Sequence, residues 1–256
     1  MERGRIRCER RGQRVDIVID RREARNALTW AMYDELESAL DEVADAQGAR
    51  VLVIRGAGRT FSAGTDIAQF VEFQSADDGI AYERRIERVV ARLADQPVPT
   101  LAVVEGIAAG AGLLLSAACD LRLCTPDARF GAPIARTLGN TLSVASLRRL
   151  IALLGAARVR TLLLTATMMD AHEALTCGFA SAIVAPTDLD AHVDSLCGRL
   201  LAHAPLTMQT TKQGIDRVID GRSDDDDLLR LVYGSADFAE GVNAFRDKRP
   251  PKWEGH

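Results

Sequence analysis

Val15, Ile17 and Ile19 alternate with more polar neighbours, which predicts a half-buried strand over residues 15–20. A second strand over 6–10 precedes it, joined through Arg11 and Gly12. Met32, Leu36, Leu40 and Val43 then recur at helical spacing and predict an amphipathic helix over 30–46. Asn26 and Thr29 offer capping groups ahead of it. A short apolar run over 51–55 predicts a strand. Residues 67–93 read as mostly helical, with a break near 75–79. A proline-marked connection over 95–99 leads into a strand over 101–104. A helix over 113–118 and a strand over 121–124 follow.

This alternation argues for an α/β fold. Beyond Thr141 the pattern changes. Helices are predicted over 142–154, 157–165, 171–176, 189–202, 207–220 and 225–246, with one short strand over 182–184. The chain therefore divides into a β-rich core over 1–187 and a helical C-terminal region over 188–256, parts of one domain architecture. The acidic run Asp224–Asp227 reads as a solvated helix N-terminus, where the dipole favours carboxylates. No internal repeat is visible.

Two glycine-containing turns carry the chemistry. The first is TLAVVEGIAAGAGLLLSAACDLRLC over 100–124. Gly106, Gly110 and Gly112 let the backbone turn tightly and approach a ligand. The helix that follows aims unbonded N–H groups at whatever lies above it, an arrangement suited to charge developing on oxygen. The second, TFSAGTDI over 60–67, also leaves a strand and again places a glycine where an amide can face a ligand.

FSAGTDI, then GIAAGAG, then ACDLRL resembles the crotonase, or enoyl-CoA hydratase/isomerase, superfamily. The resemblance extends from REARNALTWAMYDEL through DARFGAPIARTLG to FAEGVNAFRDKRPPKWEG, almost the whole chain. It implies a spiral of ββα units with a helical C-terminal trimerisation region. It also implies a CoA thioester as substrate, with no permanently bound cofactor and no metal. Thr65 and Ala111 stand at the two oxyanion-hole positions, acting through their backbone amides. Ala24, Arg25 and Leu28 match the segment along the pantetheine and adenine. Ala63, Asp66 and Ile67 flank the first amide, and Asp66 also suits a helix cap. Phe245 and Lys248 match a tail that reaches a neighbouring subunit's nucleotide, or form a plain solvated tail.

The chain departs from the family where a hydratase carries two glutamates. Leu114 occupies the first position. Ile134, after Pro133 in FGAPI, occupies the second. Neither side chain moves a proton, and each general acid–base group typically contributes about 10²–10⁴-fold. The segment after Pro133 runs one residue longer before its glycine than the usual pattern. It brings Arg136 and Asn140 toward the expected acyl end, to hold an acyl carboxylate or orient a water; a salt bridge and a turn cap are their plain alternatives. Glu72, Glu83 and Glu87 lie in the helical region that borders the pocket in relatives, as inward carboxylates or solvated faces.

Composition narrows the rest. A 47% hydrophobic content over 256 residues allows a sizeable core. A formal charge of −4 gives no basic surplus for nucleic acid. The N-terminus is charged throughout, unlike a signal peptide, and no apolar run is long enough for a membrane span. Five cysteines without a CxxC pair read as reduced thiols in a cytoplasmic protein. His172, His192, His203 and His256 lie away from both turns, without metal-ligand spacing. There is no GxGxxG, Walker or serine-elbow motif.

The expected activity is therefore acyl-CoA chemistry through an enolate held by Thr65 and Ala111. Double-bond isomerisation, decarboxylation, C–C cleavage and atypical hydration all remain open. A catalytically silent acyl-CoA-binding or assembly subunit is the alternative. Apolar positions in the C-terminal helices, among them Leu196, Leu200, Ile215, Val218, Leu228 and Leu231, predict a homotrimer or a dimer of trimers.

Overall fold

The computed structural model describes residues 4–46 and 48–256. Strands β1 (Arg5–Arg11) and β2 (Arg14–Asp20) form an antiparallel hairpin. Helix α1 (Trp30–Asp45) starts at the N-cap Thr29, whose side chain accepts from Met32 N. Asn26 does not cap it. That side chain is fully buried and ties the turn before α1 to the exit of the next strand, donating to Ala57 O and Thr60 O. Strand β3 (Val51–Gly56) pairs parallel with β2. A 3₁₀ turn (Ile67–Glu72) and α2 (Ala76–Ala94) follow, divided at Phe73–Ser75. The break expected near 75–79 falls slightly earlier, because Ser75 and Asp78 form a capping box that starts α2 afresh.

The chain then repeats one unit. Strand β4 (Thr100–Val104), short strand β5 (Ile107–Ala109) and helix α3 (Ala111–Ala118) are followed by β6 (Leu121–Cys124), β7 (Arg129–Gly131) and α4 (Ile134–Thr137). In each unit the longer strand joins a six-stranded sheet and the shorter one a three-stranded sheet. Helices α5 (Val144–Leu154) and α6 (Ala156–Leu164) come next. Strand β8 (Met169–Asp170), α7 (Ala171–Thr176) and β9 (Ala182–Ile183) complete the two sheets. The large sheet has the order β1-β2-β3-β4-β6-β9 and is parallel from β2 onward; the small one is β5-β7-β8. This is the ββα spiral that the resemblance implied.

The central strands are apolar on both faces, as parallel strands covered on both sides must be. Leu52, Ile54, Ala102 and Val104 belong to the main core with α1, α2 and α3. Their sequence neighbours Val51, Val53, Leu101 and Val103 face the other way, onto α8 (Leu189–Leu201) through Leu189, Val193 and Cys197. Each fully buried side chain of this kind contributes about 1.5–3 kcal/mol.

Helices α9 (Pro205–Ile219), α10 (Asp226–Tyr233) and α11 (Ala236–Asp247) complete the chain. The helix expected over 225–246 is two. Gly234 ends α10, and Ser235 caps α11 by accepting from Phe238 N. The acidic run does stand at a helix N-terminus, where Arg217 pairs with Asp227 through both guanidinium nitrogens. Leu196 and Leu200 are half-buried, packed beneath the sheet, and Leu228 is buried in its own chain. Ile215 and Val218 are exposed, as are Leu231, Tyr233 and Phe245. All five cysteines are free thiols, and burial pushes Cys119 up to about 12. Among the described residues no helix is long and apolar enough to cross a membrane.

Candidate functional site

The two turns read from the sequence meet in space. After β3 the chain runs beside β5: Phe61 N donates to Glu105 O, Ser62 N to Ile107 O, and Ala109 N to Ser62 O. This parallel pairing brings the segment 63–66 against the start of α3. Gly64 turns there with φ 102°, and Gly110 turns with φ 53° on the other side. A Cβ on Gly64 would sit 2.9 Å from Ala109 O and 3.5 Å from Ala111 N. Only glycine fits this approach.

Thr65 and Ala111 present their amides at this junction. Thr65 forms an isolated parallel bridge with Leu28. Its neighbours make the bonds: Leu28 N donates to Gly64 O, and Asp66 N to Leu28 O. The N–H of Thr65 itself therefore turns away from Leu28. Ala111 opens α3, where the first amides of a helix lack an intrahelical acceptor. Among the described residues neither N–H has a hydrogen-bond acceptor. The helix dipole adds positive potential at Ala111. At its other end α3 is anchored by the buried Arg122 guanidinium, which donates to the carbonyls of Ser116, Cys119 and Asp120.

The remaining candidates take several kinds of position. Leu114 is 1% exposed, one turn into α3, and packs in the main core. Pro133 and Ile134 are half-buried at the start of α4. Leu28 is fully buried, so its side chain belongs to the core and it meets the site through its backbone. Arg25 is exposed in left-handed geometry (φ 51°) beside the half-buried Ala24, and its carbonyl accepts from Ala63 N. Asp66 caps the 3₁₀ turn through Ala68 N and pairs with Arg21 at 2.7 Å. Burial opposes its ionisation most, but the hydrogen bonds from Arg21 and Ala68 N and the Arg21 charge together hold the carboxyl below its ordinary value. Ile67 is exposed.

Arg136 is exposed on α4. Asn140 is half-buried, and its Oδ1 is buried without a partner, at a 390 Å³ cleft shared by α4, α5 and α6. Ile134 lines the same cleft. Phe245 and Lys248 end α11, Phe245 almost fully exposed and Lys248 in left-handed geometry. Among the described residues no hydrogen bond or ion pair ties either side chain to the two turns. Of the three glutamates, Glu72 is exposed, and Glu87 lines a 680 Å³ cleft at the far end of α3. Glu83 accepts from Ser143 N at 3.1 Å, linking α2 to the N-terminus of α5. Burial raises its pKa despite that bond. Among the described residues no group of three or more His, Cys, Asp or Glu is placed to hold a metal.

One feature of the site escaped the sequence reading. Thr65 Oγ1 lies between two phenols, 2.7 Å from Tyr33 OH and 3.0 Å from Tyr82 OH. Tyr82 stands in an aromatic cluster, edge-on to Phe70 at 4.8 Å and to Trp30 at 5.7 Å. The available signal was Tyr33 itself: it falls on the buried face of α1 beside Met32 and Leu36, and a buried phenol needs a partner.

The family model for enoyl-CoA hydratase/isomerase matches residues 11–256. The chain belongs to that family. Enzymes of that family use CoA thioester substrates without a permanently bound cofactor. A probable enoyl-CoA hydratase of Mycobacterium tuberculosis is 34% identical over 94% of this chain and 96% of its own length. A crotonyl-CoA hydratase of Syntrophomonas wolfei is 32% identical over 91% of each. Among solved structures, an enoyl-CoA hydratase/carnithine racemase from Magnetospirillum magneticum superposes with a TM-score of 0.91 at 29% identity, covering 98% of this chain and 96% of that one.

Proposed function

We propose that this member of the enoyl-CoA hydratase/isomerase family binds an acyl-CoA thioester with its carbonyl oxygen between the amides of Thr65 and Ala111, and stabilises the enolate formed there. The observation that carries this reading is the meeting of two unbonded N–H groups where Gly64 and Gly110 bring the turns together. Two convergent donors suit an oxyanion better than a neutral carbonyl, because hydrogen bonds to a charged acceptor are roughly twice as strong. Removal of one such donor typically costs about 2.7–4 kcal/mol of transition-state stabilisation.

Leu114 and Ile134 shape the chemistry by what they lack. A buried leucine and a half-buried isoleucine at the two glutamate positions neither activate water nor return a proton. Hydration by paired carboxylates is therefore not the proposed reaction. The reading favours enolate chemistry in which the bond broken at the α carbon lies within the substrate, or in which a polar side chain other than those two handles the proton. Arg25 and Lys248, both exposed cations, suit the phosphates of the CoA moiety as point charges.

A screen of diverse acyl-CoA thioesters against the purified protein, read by mass spectrometry for mass change and α-proton exchange, tests this. Turnover or exchange with a thioester, and none with the corresponding free acid, supports it. Calorimetry showing equal binding of thioester and free acid, or none of either, overturns it. Binding without exchange by any thioester favours the silent acyl-CoA-binding subunit instead.

The assembly proposed is a homotrimer or a dimer of trimers, supported by the exposed apolar side chains of α9, α10 and α11. In it Phe245 and Lys248 reach a neighbour's nucleotide. A light-scattering mass near the 27.7 kDa of one chain would exclude it.

A further inference from the structure

Tyr33, Thr65 and Tyr82 form a chain of three hydroxyls joined by two hydrogen bonds. Each hydroxyl carries one hydrogen, so one hydrogen of the three is left over. Its place follows from burial. Tyr33 is 1% exposed, and Thr65 is the only hydrogen-bond partner of its hydroxyl among the described residues. If the spare hydrogen were on Tyr33, a buried donor would stand unpaired with its full desolvation penalty. Tyr33 therefore donates to Thr65 Oγ1. Either Thr65 then donates to Tyr82, leaving the Tyr82 hydrogen free, or Tyr82 also donates to Thr65, leaving the Thr65 hydrogen free. Both outcomes place the spare donor on the half-buried Thr65–Tyr82 pair. Burial holds both phenols protonated at neutral pH, Tyr82 with its pKa pushed up to about 12.

The location matters because Thr65 also carries one of the two site amides. We propose that the Thr65–Tyr82 hydroxyl pair supplies a third hydrogen-bond donor beside the amide of Thr65 and selects thioesters whose acyl group bears an oxygen acceptor close to the thioester carbonyl, such as a 3-oxo group. The proposal rests on the thioester reading of the two turns and adds a substrate class to it. Leu114 and Ile134 offer an acyl group no polar atom of their side chains, so in this proposal the hydroxyl pair supplies the polar recognition. Tyr82 is held rigidly for the task, its ring packed edge-on to Phe70 and Trp30. The role is recognition, and no bond is made or broken at the phenol.

Calorimetry with the full-length protein tests this, using acetoacetyl-CoA and butyryl-CoA as probes. The two differ by the 3-oxo oxygen. The wild type is expected to prefer acetoacetyl-CoA, and Thr65→Val with Tyr82→Phe, which removes both hydroxyls that can carry the spare hydrogen and keeps the Thr65 amide, to reduce that preference about 5- to 10-fold, the worth of one hydrogen bond. Tyr33→Phe removes a phenol from the same chain but leaves Thr65 and Tyr82 with one bond and one spare hydrogen. It is expected to lower the melting temperature and keep the preference. A merely structural chain would move both variants alike. An unchanged preference in the Thr65→Val, Tyr82→Phe double variant overturns the proposal. If neither thioester binds the wild type, the thioester reading itself falls, and this inference with it.

Discussion

Ala111→Pro removes one donor from the site while sparing the fold. Ala111 is the first residue of α3, where proline is favoured because its fixed φ suits a helix start and the missing N–H has no intrahelical acceptor. The bond from Leu114 N to Gly110 O, 3.1 Å, needs nothing from the amide of residue 111 and persists. The change therefore deletes no hydrogen bond of the folded chain. At the site the effect is large. The N–H disappears, and the ring Cδ takes the place of its hydrogen. Loss of one oxyanion donor is worth about 2.7–4 kcal/mol, or roughly 10²–10³-fold in rate. The assay is α-proton exchange into a thioester turned over by the wild type, followed by mass spectrometry in deuterated solvent. Ala111→Gly, which keeps the N–H, is the reference and should exchange within a few-fold of the wild type. Circular dichroism melting checks that Ala111→Pro is folded. Exchange by the folded proline variant at a rate close to the reference would refute the reasoning, since the amide would then do nothing for the enolate.

Gly64→Ala should separate the two turns: φ 102° costs a non-glycine residue about 1–3 kcal/mol, and its Cβ would press within 2.9 Å of Ala109 O. Thioester affinity and melting temperature should fall together, and an unchanged affinity would contradict the close approach. The wild type should hydrate crotonyl-CoA far below the enzyme median of about 10 s⁻¹, and Leu114→Glu with Ile134→Glu should raise that rate while lowering stability, because the first carboxyl enters an apolar core; wild-type turnover near the median would contradict this. Glu240 is held at about 2, against an ordinary 4.5, by two hydrogen bonds from Arg249 and one from Lys252 N. A depressed carboxylate stabilises above its unfolded pKa and loses that contribution as pH falls through its folded pKa. The melting-temperature gap between wild type and Glu240→Gln should thus be full above about pH 5 and close toward pH 2; a gap that persists at pH 2 would refute the assignment.

Much of the core was legible because parallel strands buried on both faces leave continuous apolar runs, as 51–55 and 101–104 do. Strands β5, β7 and β8 were not, since two or three residues are too few for a period to register. The break between α10 and α11 was missed because Gly234 interrupts a stretch whose apolar spacing continues across it. Thr65 and Ala111 were named through the resemblance of the two glycine turns to the crotonase superfamily, since turn residues show where a backbone bends and not what its amides bind. The phenols around Thr65 could not be named that way. Tyr33 and Tyr82 come from separate helices, and only packing brings their hydroxyls to one oxygen. Asn26 was read as a cap from local chemistry, yet its amide nitrogen donates to carbonyls more than 30 residues away, at Ala57 and Thr60.

The central claim, that two backbone amides polarise a thioester carbonyl, is tested most directly by infrared difference spectroscopy of a ¹³C-carbonyl acyl-CoA bound to the protein. The carbonyl stretch should move to lower frequency on binding the wild type and return toward its solution position in Ala111→Pro. A bound thioester whose carbonyl stretch stays at the solution frequency in the wild type would contradict the account.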